Sequence, residues 1–498
     1  MLRSQHLDLG NYNCQITSGV TLPRFRSRHG WKCAALIRFR ISEGFGVTME
    51  RFFLAKIEVW LGLLLALLLC IGMIGFGATA LNVEQGGNRF GVVGRVAHSV
   101  FGVVDTTLRM AKSGDAMVVA RGNASDPNGW IFPQGSTGIG LDGYWLMSRY
   151  IPTEQRTVIE LVRLSNTEVV HVWKPDVPTL FAGANTKVNS ARTENWSNQR
   201  FRAFHPLLFD NGDLLLKDSP SPLLRVDACA RRIWIQDGVM FHHSTESDGQ
   251  GGFWIPSIMA PSPIPFVTDK FQDDGLAQVS ADGRIEQNIS VGDLLMRHGM
   301  QSLVFPPFAE ANDPIHLNDI QPVLSSGPFW KEGDLFLSLR HPSMVLLYRP
   351  ATDEIIWQRS GLWMAQHDVD ILDDHRISIY DNRAFYRGSF GRVDGHSELA
   401  IYDFATDQVT HPFSAAMARE NVVSLFEGLA DVLPGGDLVV EDHKSGRILF
   451  FGADGRSLGQ FVNRAEDGNV YQIGWGRYVD QALGDKALDA IAKTSCPS

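Results

Sequence analysis

The chain has 498 residues, is 44% hydrophobic and 20% charged, and carries a formal net charge of -10. That balance excludes a wholly disordered chain, and it argues against a general nucleic-acid surface, which needs a basic face. The length holds one large repeat domain or two ordinary ones.

Residues 1–48 are Arg-rich and aperiodic, and read as a disordered tail or an over-extended start, because Met49 opens a more natural beginning. Residues 49–83 read as a transmembrane anchor. Val59 to Val83 is an uncharged run of 25 residues, and about 20 apolar residues span a bilayer. Ala-Thr-Ala near position 79 leaves cleavage open, but the run is longer than the apolar region of a signal peptide. Arg38, Arg40, Arg51 and Lys56 precede the span, and no Lys or Arg follows until Arg89. The asymmetry predicts a cytoplasmic N-terminus and a C-terminal part across the membrane.

Residues 84–135 read as a helical linker, with apolar spacing that suits an amphipathic helix over 90–112. Beyond it, strands dominate and a repeat emerges. Short strands follow turn residues at 142–148, 212–218, 251–257, 333–339, 375–381 and 436–442. Most lead into a second strand, a polar turn and a returning strand, with Trp234 and Trp357 at equivalent places. The intervals are 70, 39, 82, 42 and 61 residues. The short ones fit a four-stranded blade and the long ones need insertions, the longest over 258–312. The fold class is therefore all-β, a six-bladed β-propeller over 136–475 preceded by an N-terminal transmembrane helix. Chained β-sandwiches are the competing architecture. Residues 476–498 read as a C-terminal helix and tail, with the helix over 481–493.

Only Cys229 and Cys496 lie beyond the span. In an exported domain they can form a disulfide, and two free thiols is an equal reading, since two positions carry no geometry. No Cys/His metal spacing and no glycine-rich nucleotide motif exist, so no metal and no cofactor are expected.

Polar groups stand at the entries to several strands: His205, His242, His243, His316, His367 and Glu427. In a propeller these entries cluster on one face. A lone histidine there is an ordinary hydrogen-bonding group; a set in successive blades faces a common axis. Arg340 ends the apolar strand LFLSL. His341 is expected to point away from it, since side chains alternate along a strand. Arg349 and Arg447, in outer hairpins, are expected at the surface, as is Asp368 on its plainest reading.

These segments resemble bacterial arylsulfotransferases of the type that uses no nucleotide sulfate donor. The resemblance rests on His242–His243, the D-x-x-H-x-N-D-I run Asp313–Ile320, the S-x-R at Ser338–Arg340, the Q-H-D at Gln366–Asp368 and the D-N at Asp381–Asn382. It covers roughly residues 140–460 and implies an exported six-bladed propeller. It also implies transfer of a sulfuryl group from an aryl sulfate to a phenol through a sulfohistidine. By match to the motifs, His367 resembles the nucleophile. His243, His316 and Arg340 resemble the groups that bind the sulfuryl oxygens. His242, Asn318 and Asn382 are expected to bind substrate.

The chemistry agrees with that assignment. A transferring sulfuryl group spreads negative charge over its equatorial oxygens, as a phosphoryl group does, and needs donors held in line. A neutral imidazole is a suitable nucleophile, and two displacements give ping-pong kinetics. Arg340 is always charged and planar. His316, then His243, suits the general acid/base role, and Asp368 or Asn382 would orient the His367 ring. The expected partners are small aryl sulfates and phenols, with the membrane reached through one span and no nucleic acid. The expected place is the inner membrane, single-pass, with the catalytic domain in the periplasm. Two other readings stay open: a propeller binding module or scaffold without chemistry, and a metal-dependent hydrolase or lyase using the histidines as ligands. A fixed Arg340 cation beside a dication disfavours the last.

Overall fold

The computed structural model describes residues 59–84, 89–94, 96–97, 117–268, 270–306, 312–387 and 390–496. The chain separates into residues 1–78 and 79–498. Val59–Glu84 is one α-helix, most of it in the first unit. Its Leu and Ala content favours helix, and it lacks charge before Glu84. Among the described residues it is the one helix long and apolar enough to cross a membrane, with mean hydropathy 2.5 over Trp60–Thr79. The expected tail at 1–48 lies outside the described residues. So does most of the expected helix at 90–112, where 91–94 and 96–97 are helical.

The second unit is mostly β. Four small sheets form a propeller-like ring with one eight-stranded sheet between them in the chain. All six expected leading strands exist, as Tyr144–Ile151, Leu214–Leu216, Phe253–Met259, Leu335–Leu339, Arg376–Asp381 and Leu438–Asp442. They are buried on both faces, which is why they read as near-continuous apolar runs. Each pairs with a strand that comes before it in its sheet, so none is the edge strand nearest the centre. Those edges are Leu207–Leu208, Glu246–Ser247, Leu317–Pro322, His367–Ile371, Leu429–Val432 and Arg477–Val479. They carry Asp, Asn, His and Arg among apolar residues, and so gave little sequence signal.

Two pairings tie the ends of the ring. Arg477–Val479 lies antiparallel to Tyr144–Leu146, and Gly129–Ile131 to Gln460–Val462. The ring thus takes strands from both sides of the expected 136–475. The expected insertion over 258–312 also differs. It supplies two strands, Asp273–Val279 and Ile285–Ser290, which continue the sheet after Phe253–Met259. Their acidic start and polar outer strand hid the alternation.

The recurring Gly-Asp start has a structural reason. The Asp213 carboxylate is held by Arg225 Nε at 3.0 Å, and Asp334 accepts two bonds of 2.7 Å from Arg349. At the end of the last leading strand rather than its start, Arg447 donates to the buried Asp442 at 3.0 Å. Arg349 and Arg447 are therefore half-buried members of ion pairs, not free surface cations. Burying the carboxylate requires the partner.

The expected C-terminal helix is present as Gln481–Ile491, capped by the Asp480 carboxylate on the N–H groups of Ala482 and Leu483. Gly484 lies on the Tyr144 ring so closely that a Cβ would sit 2.2 Å from Cδ2. The helix leads to Cys496, which is bonded to Cys229, with Cα atoms 5.4 Å apart. This covalent tie spans 267 residues of sequence. Long closed loops lose the most unfolded-chain entropy, on the order of 2–5 kcal/mol. Replacing Cys496 with Ser is expected to lower the thermal unfolding midpoint by several degrees. Adding reductant should lower it for the parent chain and leave C496S unmoved, as read by scanning calorimetry.

Candidate active site

The polar entries share a backbone feature. His205, His243, His316, Asp368 and Glu427 have φ of 49°, 51°, 55°, 47° and 59°. A non-glycine residue in this left-handed region costs roughly 1–2 kcal/mol. At each, the chain turns sharply into or within an edge strand nearest the ring centre. The repetition in successive sheets marks a designed feature of the ring.

His243, His316, Arg340 and His367 line one cavity of about 340 Å³. The His243 ring centroid lies 5.1 Å from that of His316 and 6.3 Å from that of His367. The buried Trp475 ring lies edge-on to His367, at 5.9 Å. His242 also lines the cavity, with Tyr386, Arg202 and Glu427. Asn318 does not. It is fully buried and donates from Nδ2 to the Gln366 carbonyl at 2.7 Å, fixing the segment before His367.

His367 is held at both ring nitrogens. The Asn382 amide donates from Nδ2 to the carbonyls of Ser424 and Glu427, at 3.0 and 2.8 Å. Its Oδ1 must therefore face His367 Nδ1, 2.7 Å away, and accept that N–H. The Glu427 N–H donates to Nε2 at 3.1 Å. Nε2 thus carries the lone pair of a neutral ring. Burial, then the Arg340 charge, holds the His367 pKa well below the ordinary imidazole value. Asn382, expected either to bind substrate or to orient the ring, is the group that orients it. Asp368 is buried and turned away. Its carboxylate accepts from the Ala430 N–H at 2.9 Å, so it neither orients His367 nor lies at the surface.

The other imidazoles are also backed. His316 Nδ1 lies 2.5 Å from Asp313 Oδ2. Burial works against the Asp313 charge, yet the His316 hydrogen bond and the His316 and His341 rings hold its pKa below the ordinary value. His243 Nδ1 meets His242 Nδ1 at 2.7 Å. His242 Nε2 lies 3.3 Å from both Asp274 Oδ1 and the Ser257 carbonyl, so that nitrogen carries a proton. With His242 neutral, its Nδ1 accepts, His243 Nδ1 donates, and His243 Nε2 keeps its lone pair. Burial and the neighbouring rings of His242, His316 and His367 hold His243 well below its ordinary pKa. The buried amine of Lys217 donates to the His243 carbonyl and pins the left-handed turn.

Arg340 sits in the turn after its strand, where alternation no longer applies. Its Nη1 donates to His341 Nε2 at 2.8 Å, so His341 faces Arg340, contrary to expectation. Nη2 donates to Tyr386 Oη at 2.7 Å, with the guanidinium 4.8 Å from that ring. Nε is buried and has no protein acceptor. Asp313, His316 and His341 bring ligand-type atoms within 4.8 Å of one another, as a metal site would. However, His341 donates from Nδ1 to the Asp313 carbonyl at 2.6 Å and accepts at Nε2 from Arg340, which leaves it no lone pair for a metal.

Sequence reasoning missed Arg202, Tyr386 and Asp274. Arg202 donates to Glu427 Oε1 at 2.8 Å and Asp218 Oδ1 at 3.0 Å. Burial opposes the Glu427 charge, but His443 and Arg202 hold its pKa well below the carboxylate range. His205, grouped with the entries, lies elsewhere. It lines a separate cavity of about 200 Å³ with Glu246, Asp368, Asp370, Asp431 and Arg477.

No curated protein matches the chain. Among solved structures it is similar to a protein of unknown function from Bacteroides caccae, at 10% identity and a TM-score of 0.43, covering 67% of this chain and 98% of that one. It is also similar to TolB from Acinetobacter baumannii, at 10% identity and 0.39, covering 68% and 66%. An auxiliary nutrient binding protein from Bacteroides thetaiotaomicron gives 11% and 0.34, covering 56% and 67%. A family model described as arylsulfotransferase (ASST) matches residues 205–464, a stretch that contains every cavity-lining histidine. That match takes in more than half of the sequence, and the chain belongs to the arylsulfotransferase family.

Proposed function

We propose that the chain moves a sulfuryl group from an aryl sulfate to a phenol through a sulfohistidine at His367. The observation that carries this reading is the neutral His367 ring, fixed by Asn382 in the cavity of His243, His316 and Arg340, with an Nε2 lone pair that the donor's sulfur reaches by displacing the Glu427 N–H. In the first half-reaction, Nε2 forms a bond to sulfur as the sulfur–oxygen bond to the donor aryl group breaks. The leaving phenolate takes a proton from His316 Nε2, whose ring is backed by Asp313. In the second, the acceptor phenol returns a proton to His316 and its oxygen attacks sulfur, which frees His367. The charge on the three sulfuryl oxygens faces Arg340. Asn382 supports both steps. As a neutral acceptor it keeps Nδ1 protonated without making the sulfated ring a poor leaving group.

The architecture we infer is six-bladed. The eight-stranded sheet serves as two blades, because its halves are joined through only two residue pairs, Phe241–Ser257 and Met240–Ile258. Residues 136–475 with the flanking strands form the catalytic domain. The helix at 59–84 is the membrane anchor, and the catalytic domain lies in the periplasm. The Cys229–Cys496 bond supports an oxidising compartment.

Three measurements test the mechanism. Incubation of the full chain with a phenyl sulfate donor and no acceptor is expected to add one sulfuryl group by intact mass, located on His367. His367→Asn should abolish that label while retaining the parent's circular dichroism; a label that persists assigns the nucleophile elsewhere. Asn382→Ala is expected to slow both half-reactions by roughly tenfold to a hundredfold, with the label still on His367. The third concerns pH. His367 is held below its ordinary pKa, so it stays neutral as pH falls through about 6.5. Stopped-flow labelling should therefore not slow as pH falls through that range, and should fail only at lower pH. A rate that halves near 6.5 would mean that an unperturbed histidine attacks.

A further inference from the structure

The catalytic cavity is not closed at its outer side. It shares Arg192, Pro220, Ile258 and Gln272 with a second, larger cavity of about 490 Å³. That cavity is walled by the loop after Phe253–Met259 and by residues 189–192. Its apolar wall includes Met259, Ile264 and Phe271. Its charged lining residues are Arg192 and Lys270, and among the described residues no carboxylate lines it. Neither cation has a hydrogen bond or ion pair from its side chain to a described residue. At the shared wall, Gln272 Nε2 donates to Asp274 Oδ1 at 3.3 Å, the carboxylate behind His242. The junction is therefore tied to the hydrogen-bond chain that reaches His243.

We infer that this outer cavity is an acceptor subsite for an extended phenol: a second apolar ring or chain beyond the reacting ring, ending in an anionic group. The inference rests on the sulfuryl-transfer reading of the inner cavity. The inner space alone is at the small end of ligand pockets, which run from roughly 300 to 1,000 Å³. It accommodates the sulfuryl group and one ring. An acceptor bearing only that ring would leave the outer apolar wall uncovered and its two cations unmatched. A longer acceptor covers the wall, and its far anion meets Arg192 and Lys270 without competing for Arg340. The inner cavity then holds the sulfuryl group on His367, and the outer one the far end of the acceptor.

The test separates the subsite from the chemistry. Binding of 4'-hydroxybiphenyl-4-carboxylate and of uncharged 4-hydroxybiphenyl to the full chain is measured by calorimetry, with no donor present. The carboxylate is expected to bind more tightly. Lys270→Ala and Arg192→Ala should each reduce that preference roughly three- to fivefold, the range for an exposed ion pair, and the double variant about tenfold. Equal affinity for the two probes, or a preference that survives the double variant, overturns the subsite. Turnover is then read with phenyl sulfate as donor and each biphenyl as acceptor. Charge-dependent binding together with no transfer to any phenol would overturn the sulfuryl-transfer reading and leave the anion subsite standing.

Discussion

The structure depends on one hydrogen-bond arrangement: Asn382 to His367 Nδ1, and the Glu427 N–H to Nε2. Neither partner is near His367 in sequence, and neither is free to move. The Asn382 amide spends both N–H groups on carbonyls of the next entry loop, Ser424 and Glu427. That loop in turn is braced by Arg202 and His443 on the Glu427 carboxylate. A single tautomer of one imidazole is thus set by groups from four separate stretches of chain. Each brace is worth little alone, but a shift of any one would let the ring rotate or protonate.

Only a closed ring can impose such an arrangement. A line of sheets would leave the first and last free to splay, and Arg202 and Trp475, from opposite ends of the domain sequence, would drift from His367. Pairing Arg477–Val479 with Tyr144–Leu146 prevents that. The C-terminal helix and the Cys229–Cys496 bond then hold the same closure from outside. The left-handed entries at His205, His243, His316, Asp368 and Glu427 are strained locally. They persist because strand pairing on both sides of each turn outweighs a cost of that size.

Much of this was legible in the sequence. GDLLLKD, GDLFLSL and GDLVVED announce buried strands by composition alone, and the recurrence of Gly-Asp marks the unit. The set His243, His316, Arg340 and His367 was legible because motif and repeat agreed. What failed was direction. Nothing in one sequence reports that Arg340 already lies in a turn, so the rule of alternating side chains misplaced His341, or that Asp368 adopts positive φ and turns inward. Asn318 and Asn382 looked like substrate groups because a polar residue beside a catalytic histidine reads the same whether it faces ligand or backbone carbonyls. Arg202 and Asp274 were missed because they precede or sit within strands with no motif around them. Their partners, Glu427 and His242, lie far away in the chain.

The two ends of the channel differ in charge for a reason that bears on sulfuryl transfer. One residue after His367, Asp368 faces the other way, into the cavity with Asp370, Asp431 and Glu246. Four acids crowd the region on that side, and burial then mutual repulsion raise the pKa values of Asp368 and Asp370 well above the ordinary value. Burial also pushes Asp431 up to about 6 and Asp319 to about 7. Asp368 and Asp370 are thus harder to ionise than free carboxylates, and the Glu246 carboxylate is paired with Arg477 at 3.0 Å. An array of ionised carboxylates just beyond His367 would repel a sulfate ester and raise the proton affinity of the imidazoles. Harder ionisation of Asp368 and Asp370 and the Arg477 pair with Glu246 both weaken that field. Arg340 on the histidine side then faces less opposing charge, an asymmetry that suits an anionic group in that cavity.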